Sequence, residues 1–240
     1  MESAEVSSSS ATLIHSAFKN LSANNVEPFT FIEEVVNYFD ANGTILMPAM
    51  SWKSCTPLSP YFNVKSTPGD VGILAEIFRK KYAKFRSIHP THSVSGRGVD
   101  AENLLNQHNE RDTPCSELSP FRKLANIGGS IFMIGVDLNM CTLFHCAEEM
   151  IAQNVYLNEE SQEYVCLDNY GQELIVNVKK HKGIPRYYNN LRALLKDSGV
   201  LKHGVYKGVE WTSIDARESL SISVDVLRSD PHYFYKNINN

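Results

Sequence analysis

Between Phe85 and Gly98 the chain reads FRSIHPTHSVSGRG, with His89 and His92 three residues apart, Arg86 upstream and a serine-glycine run downstream. Imidazole changes its charge near neutrality, so a histidine on a polar loop suits the removal of a proton from an amine or hydroxyl that attacks an acyl donor. The same spacing also suits a loop histidine bonded to backbone, with Pro90 stiffening the turn. A second pair, His145 and Glu148, stands three apart in HCAE. On a helix that spacing puts both side chains on one face, where a carboxylate fixes the imidazole tautomer or serves as base itself. A solvated helix face accounts for the pair equally well.

Other chemistries are weaker on spacing. His89, His92, His145 and Glu148 have the residue types of a zinc site, and so of metal-assisted hydrolysis, yet no HExxH run or paired CxxC supports one. Cys146 adjoins His145, but helix neighbours point about 100° apart and make no nucleophile–base pair. Gly96, Gly98, Gly128 and Gly129 form neither GxGxxG nor GxxxxGK[ST]. Helix starts at Ser16, Ser93 or Ser119 are left as places for an anion.

The elements that must position these groups alternate. Ala11–His15, Thr44–Pro48, Lys84–Ile88 and Ser130–Gly135 read as strands; Pro28–Phe39, Val71–Tyr82 capped by Asp70, Val99–Gln107, a segment opening at Ser119-Pro120, and Thr142–Gln153 read as helices. In the helix over 28–39, Phe29, Ile32, Val35, Val36 and Phe39 share the predicted inner face. Alternation of this kind predicts a layered α/β domain. Glu163–Asp168 and Glu173–Val178 predict a hairpin, and Arg186–Lys196 a helix ended by Gly199. Asp215-Ala-Arg-Glu218 has the capping-box form of a last helix, with a strand as competitor.

Composition narrows the partners. A chain of 240 residues with 42% hydrophobic side chains has enough apolar material for one sizeable core. The division expected is a flexible N-terminus over 1–10 and a single domain over 11–240, its core motifs in 11–150 and a C-terminal portion in 151–240. A net charge of −4 lacks the basic excess of a nucleic-acid groove or an anionic membrane surface, so neither partner is expected. The polar start has no apolar leader and no run approaches a membrane span, which predicts a cytoplasmic protein. Five scattered cysteines fit buried thiols in a reducing compartment.

Read together and in order, LIHSAFKNL, GTILMPAMSW, TPGDVGILAEIFR, FRSIHPTHSVSGRG, SELSPFRKL, IGGSIFMIGV and TLFHCAEE resemble the aminoglycoside 3-N-acetyltransferase family. Arg186–Leu195, Val200–Gly208 and Asp215–Leu227 extend the resemblance to its closing elements. It implies an α/β/α layered fold with a central mixed sheet and a smaller C-terminal β-hairpin and helical portion. It also implies direct transfer of an acetyl group from acetyl-CoA to a primary amine of an amino sugar, without a metal.

Under that resemblance His89 is the catalytic base in HPxxS, Glu148 in HxAE assists it or binds the acceptor, and His145 joins Glu148 in acceptor binding. His15, Ser16, Ser87, Ser93 and Ser119 fall in segments tied to the CoA arm and catalytic loop. Ala17 departs from the family's second serine, and the segments after Met50 and over 149–183 are short.

The balance of 27 acidic against 23 basic residues favours a nucleotide-linked biosynthetic amino sugar as acceptor over a polycationic aminoglycoside antibiotic, which is the alternative. Lys179, Lys180, His181, Lys182 and Arg186 are the candidates to meet its diphosphate. A catalytically idle relative that binds sugar or CoA is a further alternative.

Overall fold

The structure, a computed structural model, describes residues 1, 4–39 and 41–236. In chain order its first half runs β1 (Ala11–Ser16), α1 (Phe18–Ser22), α2 (Pro28–Tyr38), β2 (Thr44–Pro48), β3 (Tyr61–Asn63), α3 (Ile73–Lys81), β4 (Phe85–Arg86), β5 (Val94–Gly98), α4 (Ala101–Leu105), α5 (Pro120–Asn126) and β6 (Ser130–Ile134). The second half adds α6 (Leu143–Ile151), α7 (Gln153–Tyr156), β7 (Leu157–Leu167), β8 (Glu173–His181), α8 (Arg192–Asp197), β9 (Leu201–Tyr206), β10 (Val209–Asp215) and α9 (Ala216–Ser229).

Period-two alternation in the strands builds two cores on one sheet. Leu13, Leu46, Ile131, Met133 and Ile214 face α4, α5, α6, α8 and α9. Ile14, Ile45, Met47, Phe132 and Ile134 face α1, α2 and α3. Every second residue changes sides, which is the signature of a sheet covered on both faces. The seven strands lie in the order β4-β5-β2-β1-β6-β10-β9. At the centre β1 is parallel to both β2 and β6, while β5 and β10 are antiparallel to their neighbours. The layered α/β/α fold with a mixed sheet is therefore the one expected.

Particular elements differ from the sequence reading. The serine-glycine run after His92 is not loop but β5, paired with β2. Gly98 at φ +119° makes this possible, because a Cβ there would collide with the Gly43 carbonyl. Asp70 does not cap α3; it accepts from the Lys53 amide at 2.8 Å, and Gly72 precedes the helix. Phe29 lies on the exposed side of α2, whose buried residues are Phe31, Ile32 and Val35. Asp215 does open a helix, accepting from the Glu218 amide at 2.9 Å. The hairpin is longer than expected and pairs through β7 with β3, in a second sheet of order β3-β7-β8 with its own core of Cys55, Phe62, Val64, Tyr164, Cys166, Val176 and Val178. Within the N-terminus expected to be flexible, Ala4 and Val6 are buried in the α1–α3 core, and the Ala4 carbonyl accepts from Ser213. No described helix is long and apolar enough to cross a membrane.

Glu76 on α3 ties down the loop before that helix. Its carboxylate accepts from the Gly69 amide at 3.0 Å and from Arg79 at 2.7 and 2.8 Å, and Lys80 lies 3.2 Å away. Burial alone would raise its pKa, but these donors and charges pull it from 4.5 down to about 2. A depressed carboxylate stabilises the fold above its unfolded pKa, and that contribution fades as pH falls through the folded value. Glu76→Gln is therefore expected to cost about 1–2 kcal/mol at pH 7 after allowance for solvent screening. Thermal melts of both proteins across pH should show the gap closing between 4.5 and about 2. Equal melting temperatures at pH 7 would refute this role.

Candidate active site

Because β1 has a parallel neighbour on each side, with connections leaving in opposite directions, the carboxyl ends of β1, β2 and β6 flank a crevice of the kind where α/β sheets bind ligands. A cavity of about 690 Å³ occupies it, bordered by His15 and Ser16 at the end of β1, Pro48 and Met50 after β2, Asp70 and Gly72 before α3, and Cys141 and Thr142 before α6. A second cavity of about 420 Å³ adjoins it, lined by Thr91, Lys180, His181, Lys182, Ile184 and Arg186. Trp52, His92, Asn139, Met140, His145 and Tyr188 belong to the walls of both. A larger hollow of about 720 Å³ near Asn24, Asp137 and Glu210 contains no histidine or cysteine and none of the side chains that the sequence singles out.

His145 is held at this shared wall by its helix. Leu143, Phe144, Cys146 and Ala147 of α6 are buried in the core, which leaves His145 at the helix edge with its side chain 21% exposed. One turn on, Glu148 is fully buried, and its Oε2 stands 2.7 Å from His145 Nδ1. Its Oε1 accepts from the Tyr188 hydroxyl at 2.7 Å and from Arg186 Nε at 3.3 Å. An ionised carboxylate only accepts, so Nδ1 carries the proton toward Glu148 and Nε2 is left with its lone pair. In this arrangement the buried carboxylate sets the tautomer and orientation of the imidazole.

The two neighbouring carboxylates of α6 are driven apart. Burial acts to raise both. At Glu148 this is outweighed by the charge and hydrogen bond of His145, then by Arg186 and Tyr188, and its pKa falls below the usual carboxylate value. At Glu149 burial wins over bonds from Thr113 and the Cys115 amide, and its pKa rises to about 8. Such divergence marks the ionised member as the one able to support an imidazolium.

His89 stands elsewhere. It is fully buried and lines neither cavity; its Nδ1 accepts the backbone amides of His92 at 2.9 Å and Thr91 at 3.2 Å. Burial, with His108 and His92 nearby, holds it well below the ordinary imidazole pKa. The ring that the resemblance offered as the base thus organises the HPTH turn and stands apart from the walls of both cavities. Glu148 likewise cannot steady His89, since both of its oxygens serve His145, Tyr188 and Arg186, nor does it have an exposed oxygen for an acceptor ammonium.

The serines divide. Ser16, with His15, lines the larger cavity; burial lowers the His15 pKa to about 4. Ser87, Ser93 and Ser119 are buried and serve the fold. Ser87 bonds His108 at 2.9 Å and takes the Val94 amide, Ser93 donates to the Ala49 carbonyl and accepts from Arg86, and Ser119 caps α5. Their polarity, which suggested ligand contacts, is spent on a buried turn that needs its polar atoms paired. The proposed zinc quartet is not assembled either: His89 Nδ1 is committed to amides and Glu148 to its three partners.

Sequence reasoning missed Trp52, Tyr188 and the cavity position of His92. Trp52 ends the segment GTILMPAMSW and Tyr188 lies within Arg186–Leu195, but nothing in either segment marks the aromatic, and both reach the cavity wall beside His145 only through tertiary packing. The basic run also changes meaning. Lys179 pairs with Asp112 at 3.1 Å, Lys182 donates to the Asn154 carbonyl at 2.8 Å, Arg186 holds Glu148 and three carbonyls, and His181 stands 3.0 Å from Glu149.

Comparison with known proteins agrees with the topology. A family model described as aminoglycoside 3-N-acetyltransferase matches residues 13–228. The chain is 26% identical over 166 residues to the SPbeta prophage-derived aminoglycoside N(3')-acetyltransferase-like protein YokD of Bacillus subtilis (strain 168), covering 61% of each. To aminoglycoside N(3)-acetyltransferase IV of Salmonella sp it is 28% identical over 138 residues, covering 58% of this chain and 51% of that protein. The matches thus span about three fifths and one half of these relatives' lengths. The solved structure of AAC-IIIb in a binary complex with CoASH shares the fold, with a TM-score of 0.79 and 20% identity over 95% of this chain and 93% of that one.

Proposed function

This chain belongs to the aminoglycoside 3-N-acetyltransferase family, and from that premise we propose that it transfers the acetyl group of acetyl-CoA directly to a primary amine of an aminoglycoside, with His145 as general base and Glu148 as its positioning residue. The observation that carries the reading is the His145–Glu148 dyad in the wall shared by two cavities at the carboxyl ends of the parallel strands. His145 Nε2 takes a proton from the amine, the amine nitrogen bonds to the thioester carbonyl carbon, and as the carbon–sulfur bond breaks the leaving thiolate takes that proton back from the imidazolium and departs as CoA thiol.

The larger cavity suits the donor. The amino ends of α3 and α6 border it and bring their positive dipole ends toward an anionic arm, and His15 and Ser16 add polar contacts. A nucleotide-linked amino sugar has less support, because most of the basic run near the smaller cavity is bound up in internal pairs. The curated relatives are also named for aminoglycosides.

Acetyl-CoA supplied with aminoglycosides, free monoamino sugars and nucleotide-linked amino sugars, with thiol release and product mass as readouts, tests this directly. The highest kcat/KM is expected with an aminoglycoside. A preference for the nucleotide-linked sugar would restore that acceptor, and no thiol release with any amine would defeat the assignment in favour of a non-catalytic binder.

No acetyl-enzyme is expected on this route. Cys141 reaches the larger cavity, but burial pushes its thiol up to about 12, leaving too little thiolate to attack. Cys141→Ala and Cys146→Ala should each keep most activity, and mass spectrometry after acetyl-CoA alone should find no acetylated cysteine. A stoichiometric adduct with ping-pong kinetics would overturn direct transfer.

A further inference from the structure

We propose that Cys115, Glu149 and His181 form a binding site for one zinc-class divalent cation, placed beside the catalytic dyad and separate from it. The three come from distant parts of the chain: the loop between α4 and α5, the second turn of α6, and the last residue of β8. The Cys115 Sγ, a Glu149 carboxylate oxygen and a His181 ring nitrogen all lie within 4.8 Å of one another. A tetrahedral ion with the usual zinc bond lengths holds its ligand atoms roughly 3.3–3.8 Å apart, so small side-chain movements suffice.

The polar atoms here are poorly served by the protein alone. Cys115 is fully buried, and the Glu149 and His181 side chains are 3% and 9% exposed. Glu149 Oε2 and both ring nitrogens of His181 have no hydrogen-bond partner, and the 3.0 Å approach of Nε2 to Oε1 lacks hydrogen-bond alignment. Glu149 Oε1 accepts from the Cys115 amide at 2.9 Å, which fixes the carboxylate over the loop that carries the thiol.

Ligand chemistry names the ion. Thiolate with imidazole and one carboxylate suits zinc, whereas magnesium and calcium take oxygen ligands. A water can fill the fourth position. The neighbouring group of His145, Glu148 and His181 is a poorer cage, because the Glu148 oxygens and His145 Nδ1 already bond each other, Tyr188 and Arg186. An ion on His181 would anchor a ring that stacks on His145 at a centroid distance of 4.1 Å. It would thereby fix the wall of the smaller cavity without entering the transfer step.

The test uses the full chain, purified without chelator and assayed for metal, then stripped and titrated with zinc and with cobalt. About one equivalent of zinc is expected, together with a thiolate-to-cobalt charge-transfer band. Cys115→Ser should abolish that band, and Cys115→Ser, Glu149→Gln and His181→Gln should each weaken zinc binding tenfold or more. His145→Ala and Cys166→Ser should leave both readouts unchanged. Zinc should raise the melting temperature of wild type and not that of Cys115→Ser. Absence of stoichiometric zinc binding in wild type, a cobalt spectrum without thiolate character, or binding indifferent to Cys115 and His181 would each overturn the proposal. The wild-type spectrum decides the matter even if a variant fails to fold.

Discussion

His145→Ala should lower acceptor-dependent turnover by ~10²–10⁴-fold, the range for loss of a general base, while the KM for acetyl-CoA stays within a few-fold of wild type. A sugar amine is largely protonated at neutral pH, and without an acceptor for its proton the nitrogen lone pair is not free to attack. His145 lines both cavities and has Nδ1 tied to Glu148, so its other nitrogen is the one open to a ligand. His89→Ala should behave otherwise. It removes an acceptor from the amides of Thr91 and His92 and opens a buried gap, so the fold is destabilised, yet the protein that remains folded should turn over within about tenfold of wild type. Steady-state kinetics normalised to folded protein separate the two. A dead His89 variant beside an active His145 variant would return the base to the HPTH turn.

The second large effect belongs to Glu148→Gln. The amide keeps the shape but loses the charge, and it can present its NH₂ to His145 Nδ1, which would favour the tautomer with the proton on Nε2. A base in that tautomer cannot accept the amine proton, so kcat should fall on the order of 10²-fold or more with little change in either KM. The fall in kcat alone distinguishes positioning from acceptor binding, which would raise the acceptor KM instead. Arg186 is left without its carboxylate in a buried place, so a loss of stability of roughly 3–5 kcal/mol accompanies the kinetic effect. Tyr188→Phe removes one neutral hydrogen bond to Glu148 and should cost less on both counts. A Glu148→Gln enzyme with normal kcat would show that the carboxylate has no part in the reaction.

Local pattern made the layered fold legible. Strands such as Thr44–Pro48 and Ser130–Ile134 are short, apolar and bounded by turn residues, and α2 and α6 carry their apolar faces at helical spacing. The pairing of His145 with Glu148 was equally local, a matter of one helical turn. What escaped was long-range. Whether His89 or His145 meets the cavity depends on how the HPTH turn folds under β2, and nothing within FRSIHPTHSVSGRG reports that. The β9–β10 hairpin was also hidden, because Lys202, His203 and Gly204 break up the apolar pattern of β9, the strand at the open edge of the sheet. The charges after Val178 were read as a surface open to ligand, whereas folding returns Lys179, Lys182 and Arg186 to partners as far apart as Asp112, Asn154 and Glu148.

The separately cored β3-β7-β8 sheet gives the molecule a seam. Lys180 and His181 of β8, with Lys182 just beyond it, stand against the smaller cavity, while the larger cavity is framed by the ends of β1 and β2 in the main sheet. Exchanges along the hairpin would therefore remodel one chamber and leave the other standing, since the apolar contacts that secure each are made with different partners. On the proposed function, a few substitutions along the hairpin would change which amine is accepted, while the other chamber keeps the walls it draws from the ends of the parallel strands.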